Sequence, residues 1–411
     1  MNLLPTKADW LDVRRAPIKD LVAGLTVAIV ALPLALAFGI ASGLGAESGI
    51  TTAIIAGAIA AIFGGSKLQV SGPTGAMTVV LIPIVHQFGP QGVLLVGLMA
   101  GAILVIAGFS KIGEHVHRLP TSLIEGFTAG IAIVISLQQF PFIFGVKPSG
   151  AEKVWAGAYE VTMEGLANFN SVPVIMALVV AAGILSFSKR WPKIPFSLLA
   201  VVLAAIITAT FNLQLETIGA LPARIGNLNF EFLNSKDYLA LVPSGFAVAA
   251  LAALESLLSA KVADKMRGGG EHHDSNRELF GQGLANLVVP FFGGVPATAA
   301  LARTAVNVKS HAQSKLAAFS HAIILALVVL LFAPFVATIP LAALAGVLLA
   351  TTARMAKPSE LLALVRKSKL DALVLMTTLI ATVFIDLITA VLLGLVLSLM
   401  LSRTRLAKTE V

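Results

Sequence analysis

Apolar stretches follow one another from residue 21 to residue 401, separated by short loops that carry most of the charge. A hydrocarbon core about 30 Å thick takes roughly 20 apolar residues of helix at about 1.5 Å of rise each. A chain patterned this way has room for little besides membrane-spanning helices. Gly, Pro and charged residues divide it into fourteen segments. They are Leu21 to Ser42, Gly49 to Phe63, Thr74 to Val85, Gly92 to Phe109, Ser122 to Phe140, Val172 to Phe187 and Phe196 to Phe211, then Val242 to Ala260, Leu279 to Phe292, Ala297 to Asn307, Leu316 to Phe332, Phe335 to Thr352, Ala372 to Ile385 and Leu387 to Leu401. The third and tenth are too short to cross, and each follows Gly or Pro, so they read as half-helices.

Composition agrees. Charged residues make up 12% of the chain, against about 25% in soluble domains. The absence of cysteine excludes a disulfide framework and any thiolate metal site. Met1 to Asp20 is charged and has no apolar run before a cleavage site, so it reads as no signal peptide.

Loop charge tests the threading independently, because cytoplasmic loops retain Lys and Arg. With the N-terminus inside, 24 of the 29 basic residues fall on inside loops. Lys147, Lys153, Arg224 and Lys236 fall outside, and Arg303 alone falls within a span. The expectation is fourteen spans with both termini cytoplasmic. The net charge of +8 is then a topology signal, and its scatter over many loops argues against nucleic-acid binding. Pro141 to Ser171 and Asn212 to Leu241 are the long polar excursions. Arg354 to Leu370 reads either as a short helix in the headgroup plane or as a solvated basic linker.

The two halves share landmarks. Leu21-Val22 recurs as Leu241-Val242, Phe63-Gly64-Gly65 as Phe292-Gly293-Gly294, and Pro73 as Pro296, at offsets of 220, 229 and 223 residues. Repeats of seven spans each must lie inverted, because seven is odd. The half-helices then enter from opposite sides and their N-termini meet near the midplane. Each brings free backbone N–H groups and about half a positive charge, which together suit an anion. Val70-Ser71-Gly72-Pro73-Thr74-Gly75-Ala76 and Gly293-Gly294-Val295-Pro296-Ala297-Thr298-Ala299 lead into them. Their small residues serve close backbone approach to an anion or simple helix packing. Lys67 to Val70 reads as a short extended strand, and a helix starting at Pro296 puts Arg303 up to two turns inside the tenth segment.

Three acids lie in or beside spans. Glu125 and Asp386 sit near span ends, where a carboxylate reaches the interface. Glu255 sits thirteen residues into the eighth segment, where an ionised carboxylate costs at least ~2.5 kcal/mol and must be protonated, paired or hydrated. A reversible proton carrier has that property. Ser259, one turn later, offers a hydroxyl on the same face. Arg303 is a countercharge for the anion, an ion-pair partner for Glu255, or a snorkelling cation. The pairs His115 with His117 and His272 with His273 read as solvated loop residues, and His86 ends the third segment. No metal site, cofactor motif, P-loop or nucleophile beside a base is legible, so the chain reads as no enzyme and any transport runs on gradients.

At Pro33-Leu34-Ala35-Leu36-Ala37-Phe38, Ser71-Gly72-Pro73-Thr74-Gly75, Glu255-Ser256-Leu257-Leu258 and Ala302-Arg303-Thr304-Ala305-Val306-Asn307, the chain resembles the sulfate permease (SulP) family of anion transporters, which includes pendrin and prestin. The resemblance covers essentially the whole chain. It implies an all-α polytopic membrane protein of fourteen transmembrane segments in two inverted repeats of seven. It further implies a core domain (residues 1–119 and 241–333), an external loop (213–240) and a gate domain (120–212 and 334–411), with elevator-like movement of core against gate. The candidate substrate-binding residues are Phe38, Thr74, Gly75, Ala76, Leu301, Ala302 and Arg303, and the coupling-ion residues are Glu255 and Ser259. Leu34 stands where the family commonly has Gln, and Glu255 where sodium-using bicarbonate carriers have Asp. The STAS domain usual in the family does not fit in the ten residues after Leu401, which weakens the expectation of a homodimer.

The expected function is proton-coupled symport of a small dicarboxylate or oxyanion (fumarate, sulfate or bicarbonate) across a bacterial inner membrane. The expected partners are that anion, a proton or sodium ion, and membrane lipid. Alternatives are sodium-coupled bicarbonate symport, anion exchange, or a non-transporting anion-gated motor. A nucleobase symporter is disfavoured because Leu34, Ala76 and Ala302 offer no polar group to read a base edge.

Overall fold

The computed structural model describes residues 3–14, 16–114, 120–151, 153–191, 194–220, 226, 228–268, 272–356, 358–385, 389–398 and 400. His115, His117, Asp386 and the tail after residue 400 lie outside them. The first half runs α1 (Pro17–Ala41), α2 (Ala46–Phe63), β1 (Ser71–Gly72), α3 (Gly75–Phe109), α4 (Thr121–Gln138), α5 (Phe140–Phe144), α6 (Val154–Ala167), α7 (Ser171–Arg190) and α8 (Phe196–Thr210). The second runs α9 (Tyr238–Arg267), α10 (Ser275–Val288), β2 (Thr298–Ala299), α11 (Leu301–Lys309), α12 (Lys315–Ala337), α13 (Leu341–Met355), α14 (Pro358–Lys367), α15 (Lys369–Phe384) and α16 (Thr389–Ser398).

Among the described residues seven helices are long and apolar enough to cross a membrane, and α8 and α16 are shorter apolar helices. The third and fourth apolar segments are both parts of α3, where Gly89 adopts a left-handed φ of 68° and redirects the chain. Pro90 follows it, fixed in φ and lacking an N–H, as suits a new helix start. The twelfth segment was expected to begin at Phe335, but that residue lies in the last turn of α12, beyond a kink at Phe332; α12 ends at Ala337 and α13 starts at Leu341. Pro340 at the N-cap explains the late start, since Pro suits the entrance of a helix and not its interior. The excursion from Pro141 to Ser171 holds α5 and α6, and α6 exposes Trp155, Tyr159 and Met163 at four-residue spacing. The amphipathic reading of the segment before α15 matches α14, which leaves Leu362 and Val365 exposed.

The helices sort by their packing. Helices α1, α2, α3, α9, α10, α11 and α12 pack on one another, and so do α4, α5, α6, α7, α8, α13 and α15. The two sets meet chiefly where α1 touches α8 and α13 and where α3 touches α4. Within the first set the backbones come unusually close. A Cβ at Gly49 of α2 would lie 2.0 Å from the Ala35 carbonyl oxygen and 2.7 Å from Gly39 Cα, both on α1. Neither atom belongs to a side chain that can swing away. Gly49→Ala is therefore expected to force α1 and α2 apart at a cost of about 1–3 kcal/mol, read as earlier thermal unfolding in detergent; unchanged melting would contradict this packing.

Several charges that read as loop residues are buried. The Asp20 carboxylate is fully buried and accepts hydrogen bonds from Gln313 N (2.6 Å), Ser314 N (3.1 Å) and the Ser314 hydroxyl. The Lys315 ammonium, 1% exposed, donates to the carbonyls of Ile62 (3.1 Å) and Gly64. Each carbonyl belongs to the end of α2, whose last C=O groups have no helical partner. Ahead of α1, Asp9 makes a two-pronged pair with Arg277 of α10 at 2.8 and 2.9 Å, and Asp12 pairs with Lys67 at 2.8 Å. Burial works to raise the Asp9 carboxyl, but hydrogen bonds from Arg277 and Thr6 outweigh it and hold the group below the usual carboxylate range. The clasp is thus fully formed at neutral pH and weakens only as pH falls through that lowered value.

Candidate functional site

The centre of the first helix set is a crossing of two short strands. Ser71 pairs with Ala299 and Gly72 with Thr298, antiparallel, and each strand leads directly into a helix. Because the strands run oppositely, α3 and α11 leave the crossing in opposite directions with their N-termini beside it. The strand begins at Ser71, after the stretch from Lys67 to Val70 where it was expected. The tenth helix likewise starts at Leu301 and not near Pro296, because Thr298 and Ala299 are used for the strand. Arg303 is consequently in the first turn of α11, not two turns along it.

Side chains from three helices hold the crossing. Asn286 grips Ala297 from both sides, accepting from its N–H (2.7 Å) and donating to its carbonyl (2.9 Å). Gln282 donates to the Ser71 hydroxyl (2.6 Å) and to Glu278 (2.9 Å), which also accepts from Ser66 N at 3.0 Å. Ser256 accepts from Ala299 N (3.2 Å), and Asn307 donates to the Leu68 carbonyl (2.7 Å). Glu278, Gln282 and Asn286 form one stripe on α10 at four-residue spacing. That spacing is visible in the sequence from the residue just before the ninth segment onward and was the signal that could have found them.

Thr74 caps α3, its hydroxyl oxygen accepting from Met77 N at 3.4 Å. The same hydroxyl donates its hydrogen to Glu255 Oε2 at 2.9 Å, joining α9 to the start of α3. Arg303 Nη2 donates to the Pro73 carbonyl, so the first turn of α11 is braced against the residue just ahead of α3's cap. Gly72 faces the same guanidinium: a Cβ there would come 2.5 Å from Arg303 Nη1, at a φ of 154° that side chains avoid. Glu255 and Arg303 also interact electrostatically.

The expected site residues fall into two groups and one exception. Thr74, Gly75 and Ala76 lie buried at the start of α3 with Phe38 of α1 buried beside them: a Cβ on Gly75 would come 3.0 Å from the Phe38 ring and nearer still to Ile135 of α4. Leu301 and Ala302 are exposed at the start of α11, Arg303 is buried behind them, and Glu255 is partly exposed. The exception is Ser259. It is fully buried and donates to Thr304 Oγ1 at 3.0 Å, which in turn accepts from Val70 N at 3.1 Å. Its hydroxyl serves the crossing and does not face the open side with Glu255.

One histidine departs from its expected setting. His272 is exposed, but the His273 side chain is only 4% exposed, with Nδ1 2.7 Å from Asp264 and Nε2 3.1 Å from the Ser275 hydroxyl. The order Asp, His, Ser has the look of a hydrolase triad, contrary to the expectation of no nucleophile beside a base. Ser275, however, is buried in the first turn of α10 against Gly113, so the chain of bonds clasps the α9–α10 connection. Among the described residues no group of three or more metal-ligating side chains forms.

Known proteins share this architecture. The sulfate permease family model matches residues 18–378. A Bacillus subtilis (strain 168) protein called "Putative sulfate transporter YvdB" is 39% identical over 92% of this chain and 72% of its own length. The bicarbonate transporter BicA of a Picosynechococcus species is 33% identical over 95% of this chain and 71% of its own length. The solved transmembrane domain of a cyanobacterial BicA superposes with a TM-score of 0.83 at 33% identity, covering 92% of this chain and 98% of that one. With the family pattern spanning nearly the whole chain and the two-strand crossing at its centre, this multi-pass membrane protein belongs to the sulfate permease family of anion transporters and is not an enzyme.

Proposed function

We propose that the chain carries a small oxyanion, sulfate or bicarbonate, with fumarate-like dicarboxylates as further candidates, in symport with a proton. The observation that carries the reading is the hydrogen bond from the Thr74 hydroxyl to Glu255. It supports a reading in which an exchangeable carboxylate stands at the cap of one half-helix, beside the exposed start of the other. An anion at the start of α11 takes the free N–H groups of its first turn together with the positive ends of both helix dipoles. Arg303 adds a full charge from behind. Proton uptake by Glu255 removes a negative charge next to the bound anion, so the two ligands favour one another's binding; by linkage this favour is reciprocal.

The same reading takes the chain as fourteen spans in two inverted repeats of seven, with both termini cytoplasmic. Residues 1–119 and 241–333 form the carrier unit, and residues 120–212 and 334–411 form the frame it slides against. The separate packing of the two helix sets supports that division. Sodium-coupled bicarbonate symport is the second reading; the name of the BicA relative favours bicarbonate as the substrate. Proteoliposomes given sulfate, bicarbonate, fumarate or uracil under imposed proton or sodium gradients separate the two. The expected result is uptake of an oxyanion driven by an inward proton gradient and no uptake of uracil. Uptake driven by sodium alone would replace the first reading with the second.

A further inference from the structure

Helix α6 is 14 residues long and stands between the apolar spans Thr121–Phe144 and Ser171–Ser188. Both spans have an end beside it, so it lies at the membrane surface, and it is too short to cross about 30 Å of hydrocarbon. Its rotation is fixed by what it packs against. Ala158, Val161 and Gly165 are buried, and a Cβ on Gly165 would come 2.6 Å from the Phe144 ring, so bare backbone rests on the end of α5. The Trp155 ring meets that of Phe384, the last residue of α15, with 6.0 Å between centroids. Lys153, at the helix entrance, donates to the Ile385 carbonyl at 3.1 Å. Trp155, Tyr159, Met163 and Leu166 nevertheless remain 43–62% exposed. At about 100° per residue these four form one stripe, set roughly 120° from the buried face, and the exposed pair Glu160 and Glu164 lies roughly 120° from both. Among the described residues the helix therefore has three faces: one on the protein, one apolar and open, one acidic.

Four large apolar side chains in a row are a costly face to show to water. Trp and Tyr are the side chains enriched at the bilayer boundary, where their rings sit at headgroup level. A helix at the meeting of protein, lipid and water needs three faces of this kind. We propose that α6 lies in the headgroup plane, with the stripe Trp155, Tyr159, Met163 and Leu166 seated on lipid acyl chains and with Glu160 and Glu164 in water. A second copy of the chain is the competing occupant. The stripe offers it roughly 400 Å², at about half of a large side chain's 150–250 Å² for each residue, whereas a stable dimer buries about 800 Å² per partner. No Lys or Arg lies within α6, and its two carboxylates repel anionic headgroups, so apolar contact makes the seat and a zwitterionic lipid surface suits it best. Because α6 packs on α4, α5 and α15, that set of helices gains an anchor at the membrane surface in addition to its spans.

The chain contains no cysteine, so one introduced thiol carries a nitroxide at one known position. Tyr159→Cys, Met163→Cys and Leu166→Cys sample the stripe, and Glu160→Cys and Glu164→Cys the acidic face, each in the full chain reconstituted into phosphatidylcholine vesicles. EPR reads collisions with oxygen, which concentrates among acyl chains, and with a nickel chelate, which stays in water. The expected oxygen-to-nickel ratio is several-fold higher at the three stripe positions than at the two acidic ones, and corresponds to a depth of about 5–10 Å into the headgroup–acyl boundary. If one variant does not fold, the other positions still give the phase of the helix. Equal nickel access at all five positions would put the stripe in water and overturn the proposal. Stripe labels closed to both reagents and broadened by a second label would overturn it too, in favour of a second copy. A depth that increases steadily from Tyr159 to Leu166 would describe a helix plunging into the bilayer, and would equally contradict one lying on it. None of these readings depends on transport or on the anion site.

Discussion

Glu255→Gln is expected to leave anion uptake unable to follow an imposed proton gradient, while anion binding persists. The amide is nearly the shape of the protonated acid, and its oxygen still accepts from the Thr74 hydroxyl that Glu255 Oε2 engages at 2.9 Å. The cap of α3 and the crossing stay intact; only the exchangeable proton is lost. A permanently neutral side chain mimics the proton-bound state, so equilibrium exchange of labelled anion across the membrane survives as uphill accumulation stops. With no membrane potential, the accumulation ratio under a gradient of one pH unit falls from about tenfold, the limit for one proton per carried anion, toward one. Accumulation that still tracks the proton gradient in this variant would remove Glu255 from the coupling step.

The second large effect is expected at Arg303. Replacing it by Leu removes the buried positive charge at the start of α11 and strands the Pro73 carbonyl, which accepts from Nη2. A charge-assisted contact of this kind is worth about 1.5–3 kcal/mol, or about 10- to 150-fold in anion affinity. Divalent sulfate should lose more than monovalent bicarbonate, because the lost term scales with ligand charge. Arg303→Lys keeps the charge but not the planar fork, and is expected to fall between the two. Equal losses for both anions would point to collapse of the crossing in place of lost charge, and thermal melting of the variant separates those outcomes.

Much of this was legible in the sequence because apolar run length and loop punctuation are local signals. The helix start near Thr74 could be read from Gly-Pro-Thr-Gly, since Pro and a hydroxyl mark a helix entrance. The partner start misled for a non-local reason. Pro296 looks like an equivalent entrance, but Thr298 and Ala299 pair across the crossing with residues more than two hundred positions earlier, and only then can the helix begin. A two-residue strand has no periodicity to detect. The same holds for its position after Lys67 to Val70. Charge sorting found Glu255 and Arg303 because they stand alone in apolar runs. It missed Asp20 and Lys315, which sit at segment ends and become buried only through backbone groups brought from α2 and the start of α12. Ser259 was read from its face on α9, but which neighbour that face meets is a packing outcome, and Thr304 takes its hydroxyl.

Anomalous scattering from selenate, an isostere of sulfate, tests the central claim most directly. The account predicts one strong peak at the crossing, within hydrogen-bond reach of the first backbone N–H groups of α11, with Glu255 and Thr74 facing it and Arg303 behind. The peak should weaken sharply in Arg303→Leu. A peak elsewhere on the protein, or one that Arg303→Leu leaves unchanged, would contradict an anion site built from the two half-helix starts.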